Sequence, residues 1–368
     1  MKKLFSVILA SVLVISMAVT TAAQPASSQS LQMPESFDFS FELNLGLDVQ
    51  TELFDDPEVE AILAMLRNVE IRADGTLIQD LETFMASHLY MDISVRAGFF
   101  YIPFEMWMDV DFTNPEDPVY AVIISLPELL QTMVGLEDPA LARQYWVLDY
   151  APLFADEYMA GMLNVMLNSD AVSNFVNVKD MLEMLPELEA LGDNNYRLVL
   201  TDEIFTSFII EVVESSMAIF FDEGFMWDIA TQFDEDITVE DFELEMAQLY
   251  DDLGPILDYI FQVFRNVTFI SQDLVTYYVL DENRFPIQEN SHGQFIFDLA
   301  DWANAFATLD PNAVPANNFL PEFVITLDFD YSAVLSNINS ATRATLPVLT
   351  PENSVDLLSP MFNMNRLF

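Results

Sequence analysis

The chain reads as an α+β protein, a curved antiparallel sheet covered on one face by helices. Three observations predict it. Long runs near both ends alternate apolar and polar residues with period two, which puts one strand face on apolar material and the other towards water. From about Ala151 to Asn266 the apolar spacing changes to three and four, the period of helices. Strands at both ends must then meet in one sheet closed by distant segments. Many long strands with a single greasy face are expected to curve around something.

The first residues read as a signal peptide over 1–23. Lys2 and Lys3 precede an apolar run, Leu4 to Val19, and Thr21-Ala22-Ala23 offers small residues for cleavage near Ala23. That run is shorter than the ~18 to 20 residues of a membrane span. A secreted or extracytoplasmic protein of the cell envelope, without a transmembrane span after cleavage, is therefore expected. Residues 24–36 are expected to be a flexible leader. Residues 37–358 then form a single domain, with N-terminal strands (37–150), a mainly helical insertion (151–266) and C-terminal strands (267–358). Residues 359–368 are a tail.

Phe37 to Val49 is the cleanest strand, with Phe37, Phe39, Phe41, Leu43, Leu45, Leu47 and Val49 alternating with polar residues and Gly46. Pro57 with acids suits the first turn of a short helix carrying Val59, Ile62, Leu63 and Leu66. Val69 to Ala73 reads as a strand reaching an Asp74-Gly75 turn, from which Thr76 to Asp80 returns. Leu89 to Ala97 and Phe104 to Phe112 alternate on either side of a break at Gly98 to Pro103, which predicts an antiparallel hairpin. Trp107 and Asp109 fall in its polar phase. Asp109→Asn is expected to cost within roughly 0.5 kcal/mol of nothing. Val119 to Ile124 and Gln144 to Tyr150 are further strands, with a short helix from Pro127 between them.

Ala155 to Leu167, Val178 to Leu191 and Ile204 to Phe221 read as helices, and Asn195 to Leu200 as a strand among them. Thr238-Val239-Glu240-Asp241 resembles a capping box ahead of a helical stripe from Phe242 to Phe264, which Gly254-Pro255 should kink or divide. Val275, Tyr277 and Val279 alternate up to a turn at Asp281. Phe285 to Gly293 returns from it and Gln294 to Asp298 forms another strand. After a loop at Asp310 to Pro321, Phe323, Ile325, Leu327, Phe329 and Tyr331 mark a regular strand. Pro347 to Asp356 is turn-rich, without periodicity.

Composition bounds the chemistry. With 52% hydrophobic residues, 31 Phe and 19 Met, a large core is affordable. The net charge of −48 excludes nucleic acid as a partner, since phosphates need a basic footprint, and disfavours anionic headgroups. It leaves a basic envelope partner or loosely bound divalent cations as partners. Cysteine is absent, so disulfides and thiolate sites are too. His88 and His292 stand alone, and no HExxH, GxSxG, P-loop or GxGxxG occurs. Glu105 and Asp109 share a strand face, as carboxylates of any exposed strand would. Neither acidic cluster, Asp55 to Glu60 or Asp234 to Asp241, has an EF-hand loop. No enzyme, catalytic residue, metal site or cofactor is predicted.

The surplus over an ordinary core is soft apolar side chains on strands. Phe39, Phe41, Met91, Ile93, Phe104, Met106, Met108 and Val110 would line an apolar cavity, taking a lipid or other apolar small molecule between sheet and helices. The alternative is an acidic structural or interaction protein whose core is filled and which holds no ligand. The leader, the long strands, the Asp281-Glu282-Asn283-x-Phe285-Pro286 turn, the intervening helices and the late strand resemble the LolA/LppX-like lipoprotein-carrier fold. The strands of Met91 to Phe112 and the tail Leu349 to Ser354 also look like related secreted Gram-positive proteins. The resemblance implies a half-open barrel closed by helices, with a cavity for acyl chains. The chain departs from the lipoprotein members in lacking the lipidated cysteine.

Overall fold

The computed structural model describes residues 34–51, 57–81, 86–114, 118–151, 161, 186–220, 222–233, 237–309 and 323–358. The first alternating run forms β1 (Ser36–Thr51). After α1 (Pro57–Leu66) come β2 (Val69–Gln79), β3 (Ala86–Ala97), β4 (Phe100–Asp111) and β5 (Val119–Ser125). Each pairs antiparallel with the strand before it. α2 (Glu128–Glu137) and a 3-10 turn lead to β6 (Tyr145–Asp149), antiparallel to β5. There follow β7 (Glu189–Gly192), β8 (Asn195–Leu200), α3 (Asp202–Phe220), α4 (Glu223–Phe233) and α5 (Val239–Phe264). β9 (Ile270–Leu280), β10 (Pro286–Asp298), α6 (Leu299–Leu309), β11 (Phe323–Ser336) and β12 (Ser354–Asp356) complete the chain.

The strands form one sheet in the order β12-β6-β5-β4-β3-β2-β1-β11-β10-β9-β8-β7. The α+β class holds, but the curved half-open barrel does not. The sheet is neither closed nor strongly curled, and it is mixed, because β12 runs parallel to β6. Alternation reports which strand face is buried; closure depends on tilt and stagger, which alternation does not encode.

The chain divides into two compact units. One holds the described residues within 34–165, 287–292 and 325–368, the other those within 166–286 and 293–324. In the first unit the Asp74-Gly75 turn is absent and β2 runs straight through it. Gly75 pairs with Phe39 on one side and Met91 on the other. A Cβ there would stand 2.2 Å from the Tyr90 carbonyl oxygen and 2.5 Å from the Phe39 ring. The glycine makes room for a ring, not for a turn. The β3–β4 turn is only Gly98-Phe99, with Gly98 at φ +59°, a left-handed position suited to glycine in a two-residue hairpin turn. β4 therefore includes Pro103, at a level where β5 does not flank it.

In the second unit the end of the expected helix over Val178 to Leu191 is instead β7, a hairpin partner of β8, and residues 178–185 lie outside the described residues. Gly192, Asp193 and Asn194 all take positive φ at the turn. Leu188 packs with Leu198, Tyr278 and Leu280. β9 consequently buries Leu274, Tyr278 and Leu280, the phase opposite to the expected Val275, Tyr277 and Val279. Thr238 caps α5: its Oγ1 accepts from the Asp241 amide (3.2 Å) and donates to the Asp241 carboxylate (2.6 Å), so the carboxylate answers the hydroxyl where a capping box would have it answer the Thr238 amide. α5 is not divided; it runs 26 residues with Pro255 inside. Val263, Val267 and Ala305 join α5 to α6, flanked by Tyr259, Trp302 and Phe306. Asp202 in the first turn of α3 accepts from the amides of Phe269 and Ile270, each at 2.8 Å. The signal peptide, the helix over Ala155 to Leu167 apart from Gly161, and the Asp310 to Pro321 loop lie outside the described residues.

Candidate functional site

The register brings the eight apolar candidates onto one face of the first unit. Phe39, Gly75, Met91, Met106 and Ile124 stand opposite one another across five strands, and Phe41, Ala73, Ile93 and Phe104 across four. Met108 lies beside Leu89, and Val110 beside Ser87. Met106 and Ile93 are 2% exposed and Met91 3%; Phe41 and Phe104 are buried too. Phe39, Met108 and Val110 are half-buried. Phe39 stacks on Phe41 with ring centroids 6.1 Å apart, and Phe41 meets Tyr331 of β11 at 5.9 Å.

Tyr331 leads to a residue that sequence reasoning missed. Glu289 of β10 is buried, and its carboxyl is pushed up to about 8, chiefly by loss of water. The Ser291 hydroxyl, 3.4 Å away, donates to it and opposes that shift weakly. Burial and then the nearby Glu289 raise the Tyr331 phenol as well. Gln288-Glu289-Asn290-Ser291-His292 has no apolar alternation, so nothing in it marks which face turns inward. His292 lies exposed on the same strand.

The opposite face is not simply solvated. Trp107, expected in the polar phase, is 6% exposed. It packs with Ile123 and Val147, with Tyr90 at 5.5 Å and Tyr145 edge-on at 6.2 Å. Asp109, expected to face water, is buried. Its two oxygens meet His88 Nδ1 and the Arg343 guanidinium, each at 2.5 Å. Arg343 belongs to the segment between β11 and β12, which comes down on this face and whose far end, β12, pairs with β6. That segment lines a small cleft with Thr76, His88, Tyr90, Trp107 and Asp109, about the space one water needs.

Around the cleft, hydrogen bonds from the hydroxyl and amide of Thr113 hold the Asp111 carboxyl below its usual range, aided by His88 and Arg343. The Tyr90 hydroxyl donates to Glu105 (3.0 Å); burial and that carboxylate push its phenol up to about 12. Glu105 and Asp109 thus each have separate partners. Thr76 is committed as well, donating to Asp38 at 2.6 Å. Among the described residues, no group of three or more histidines and carboxylates is placed to hold a metal ion. Nor, among them, is any helix long and apolar enough to cross a membrane. Compared with protein-family models, curated proteins and solved structures, the chain matches none. The open sheet removes the half-barrel that the lipoprotein-carrier resemblance implied.

Proposed function

We propose that this is a non-enzymatic, extracytoplasmic interaction protein, in which the apolar sheet face is a filled core and the acidic face receives a basic partner. The near-zero exposure of Met91, Ile93 and Met106 carries this reading. A void large enough for an apolar ligand would leave accessible area on its lining, and the central lining has almost none. What remains available is charge. On the outer face Asp328 and Asp330 of β11, Asp74 of β2 and Asp92 of β3 are exposed, with Glu42 of β1 half-exposed among them. Among the described residues Arg72 pairs with Glu42 and Glu70 there, and Arg96 with Glu70. Titration calorimetry with polylysine tests the proposal. Binding that weakens steeply with added salt is expected. No binding, together with a stoichiometric apolar molecule in an organic extract of the purified protein, would overturn it.

A further inference from the structure

We infer, resting on the function just proposed, that the basic partner of the acidic face docks as an extended, arginine-bearing peptide along a track that residues 338–350 fill in cis. The segment after β11 starts at β1, where Asn337 Nδ2 donates to Asp38 (2.6 Å) and the Asn339 amide to the Ser36 carbonyl (2.7 Å). It ends at β6, where the Tyr145 amide donates to the Asn353 carbonyl (2.9 Å). Between these points it runs along the row Asp38, Thr76, Tyr90 and Trp107, which stand opposite one another across β1 to β4. Its Ala344 and Leu346 line the cleft with the last three of them. Arg343 reaches Asp109 in the next row.

The segment has the form of a bound peptide. Ile338, Ala341, Ala344, Pro347 and Thr350 are half-buried and the residues between them exposed, a strict period of three. Three residues per turn is the period of polyproline II, which has no hydrogen bonds of its own. Among the described residues the backbone from Ala341 to Pro347 makes none. Such segments dock on aromatic-lined faces, here Tyr90 and Trp107. Between Asn339 and Asn353 its one hydrogen bond to the sheet, among the described residues, runs from Arg343 to the buried Asp109 carboxylate. The fit in cis is nevertheless poor. No residue from Asn337 to Asn353 is buried, and Val348 is 81% exposed. These residues set Arg343 against Glu352 and bring no net charge. The adjoining row holds Asp74, Asp92 and Glu105 opposite one another across β2, β3 and β4, where like charges repel. A partner segment with the same spacing and more basic residues answers that row and displaces the chain's own.

A fluorescein-labelled peptide copying Ser340 to Thr350 is titrated into the full chain and into its Arg343→Ala variant. Weakening the tethered copy should raise the peptide's affinity about fivefold or more over the wild type, with unchanged circular dichroism. A peptide carrying Thr342→Lys and Thr345→Lys should bind tighter still and lose that gain in salt. Alanine in place of the peptide's arginine should abolish binding. Because the chain has no cysteine, a dye on Val348→Cys reports the chain's own segment, and its anisotropy should fall as the peptide binds. The inference is overturned if Arg343→Ala gains no affinity, if the alanine peptide binds equally or if the lysines add nothing. Peptide binding that leaves the anisotropy at 348 unchanged also overturns it. Polylysine titrated into the same two proteins separates the inference from the proposed function. Salt-sensitive polylysine binding without peptide binding overturns the track alone, and binding of neither overturns both.

Discussion

Met106 and Trp107 are adjacent in β4 and equally hidden, yet their burial has different origins. Met106 belongs to the apolar face, where Met91, Ile93, Phe104 and Ile124 of neighbouring strands repeat the same alternation. Trp107 belongs to the acidic face, where cover comes from rings on β3 and β6 and from a segment more than 200 residues later in the chain. One face is buried by its own pattern; the other is buried locally, by an ion pair and a passing segment. A change on the first should therefore act through packing, and a change on the second through charge.

The largest expected effect is at Met106. Met106→Asp places a carboxylate where almost no water reaches and should cost several kcal/mol, about 4 or more, read as a shift in the urea midpoint. A loss under ~1 kcal/mol would mean that this face opens to solvent.

Glu289 comes next. Its folded-state value of about 8 stands above the ordinary 4.5, so the folded protein keeps a proton that the unfolded chain releases between those values. Stability from this group is complete below about 4.5 and is lost as pH rises through about 8. The repulsion among surface carboxylates has the same sign, so the informative comparison is with Glu289→Gln. The variant should flatten the pH dependence of the denaturation free energy and be a few kcal/mol more stable relative to the parent near pH 8 than near pH 5. Identical slopes for the two proteins would show that Glu289 is ionised when folded.

On the acidic face, Asp109→Asn should cost about 1 to 3 kcal/mol, not the half kilocalorie expected for a solvated strand position, because Arg343 and His88 lose their carboxylate. Arg343→Ala, whose side chain is half-exposed, should cost nearer 1 kcal/mol and speed proteolysis between Ser340 and Pro347. Phe99→Ser marks the lower bound: its ring is in water, and the change should stay within about 0.5 kcal/mol of the parent.

The comparison also explains what the sequence made legible. Alternation from Phe37 to Val49 and from Leu89 to Phe112 placed three strands and their inward faces, because a buried face leaves a periodic trace. It failed where burial is not periodic. The ion pair from Arg343 to Asp109 crosses 234 positions, and no spacing rule reaches that far. Gly75 looked like a turn because a ring contact and a hairpin both call for glycine. From Leu274 to Leu280 β9 carries large side chains on both faces, so Tyr277 and Tyr278 competed for the core, and the hairpin of β7 and β8 settled the phase for Tyr278. Glu289 gave no signal because buried and exposed glutamates look alike in a polar run.

Whether the apolar face is filled or hollow is tested most directly by a fluorescent fatty acid titrated into the wild-type protein, with Met106→Trp measured beside it. The filled core predicts no uptake by the wild type, and a loss of ~1 to 3 kcal/mol from overpacking in the variant. Saturable uptake by the wild type, reduced by the tryptophan at no cost in stability, would contradict it.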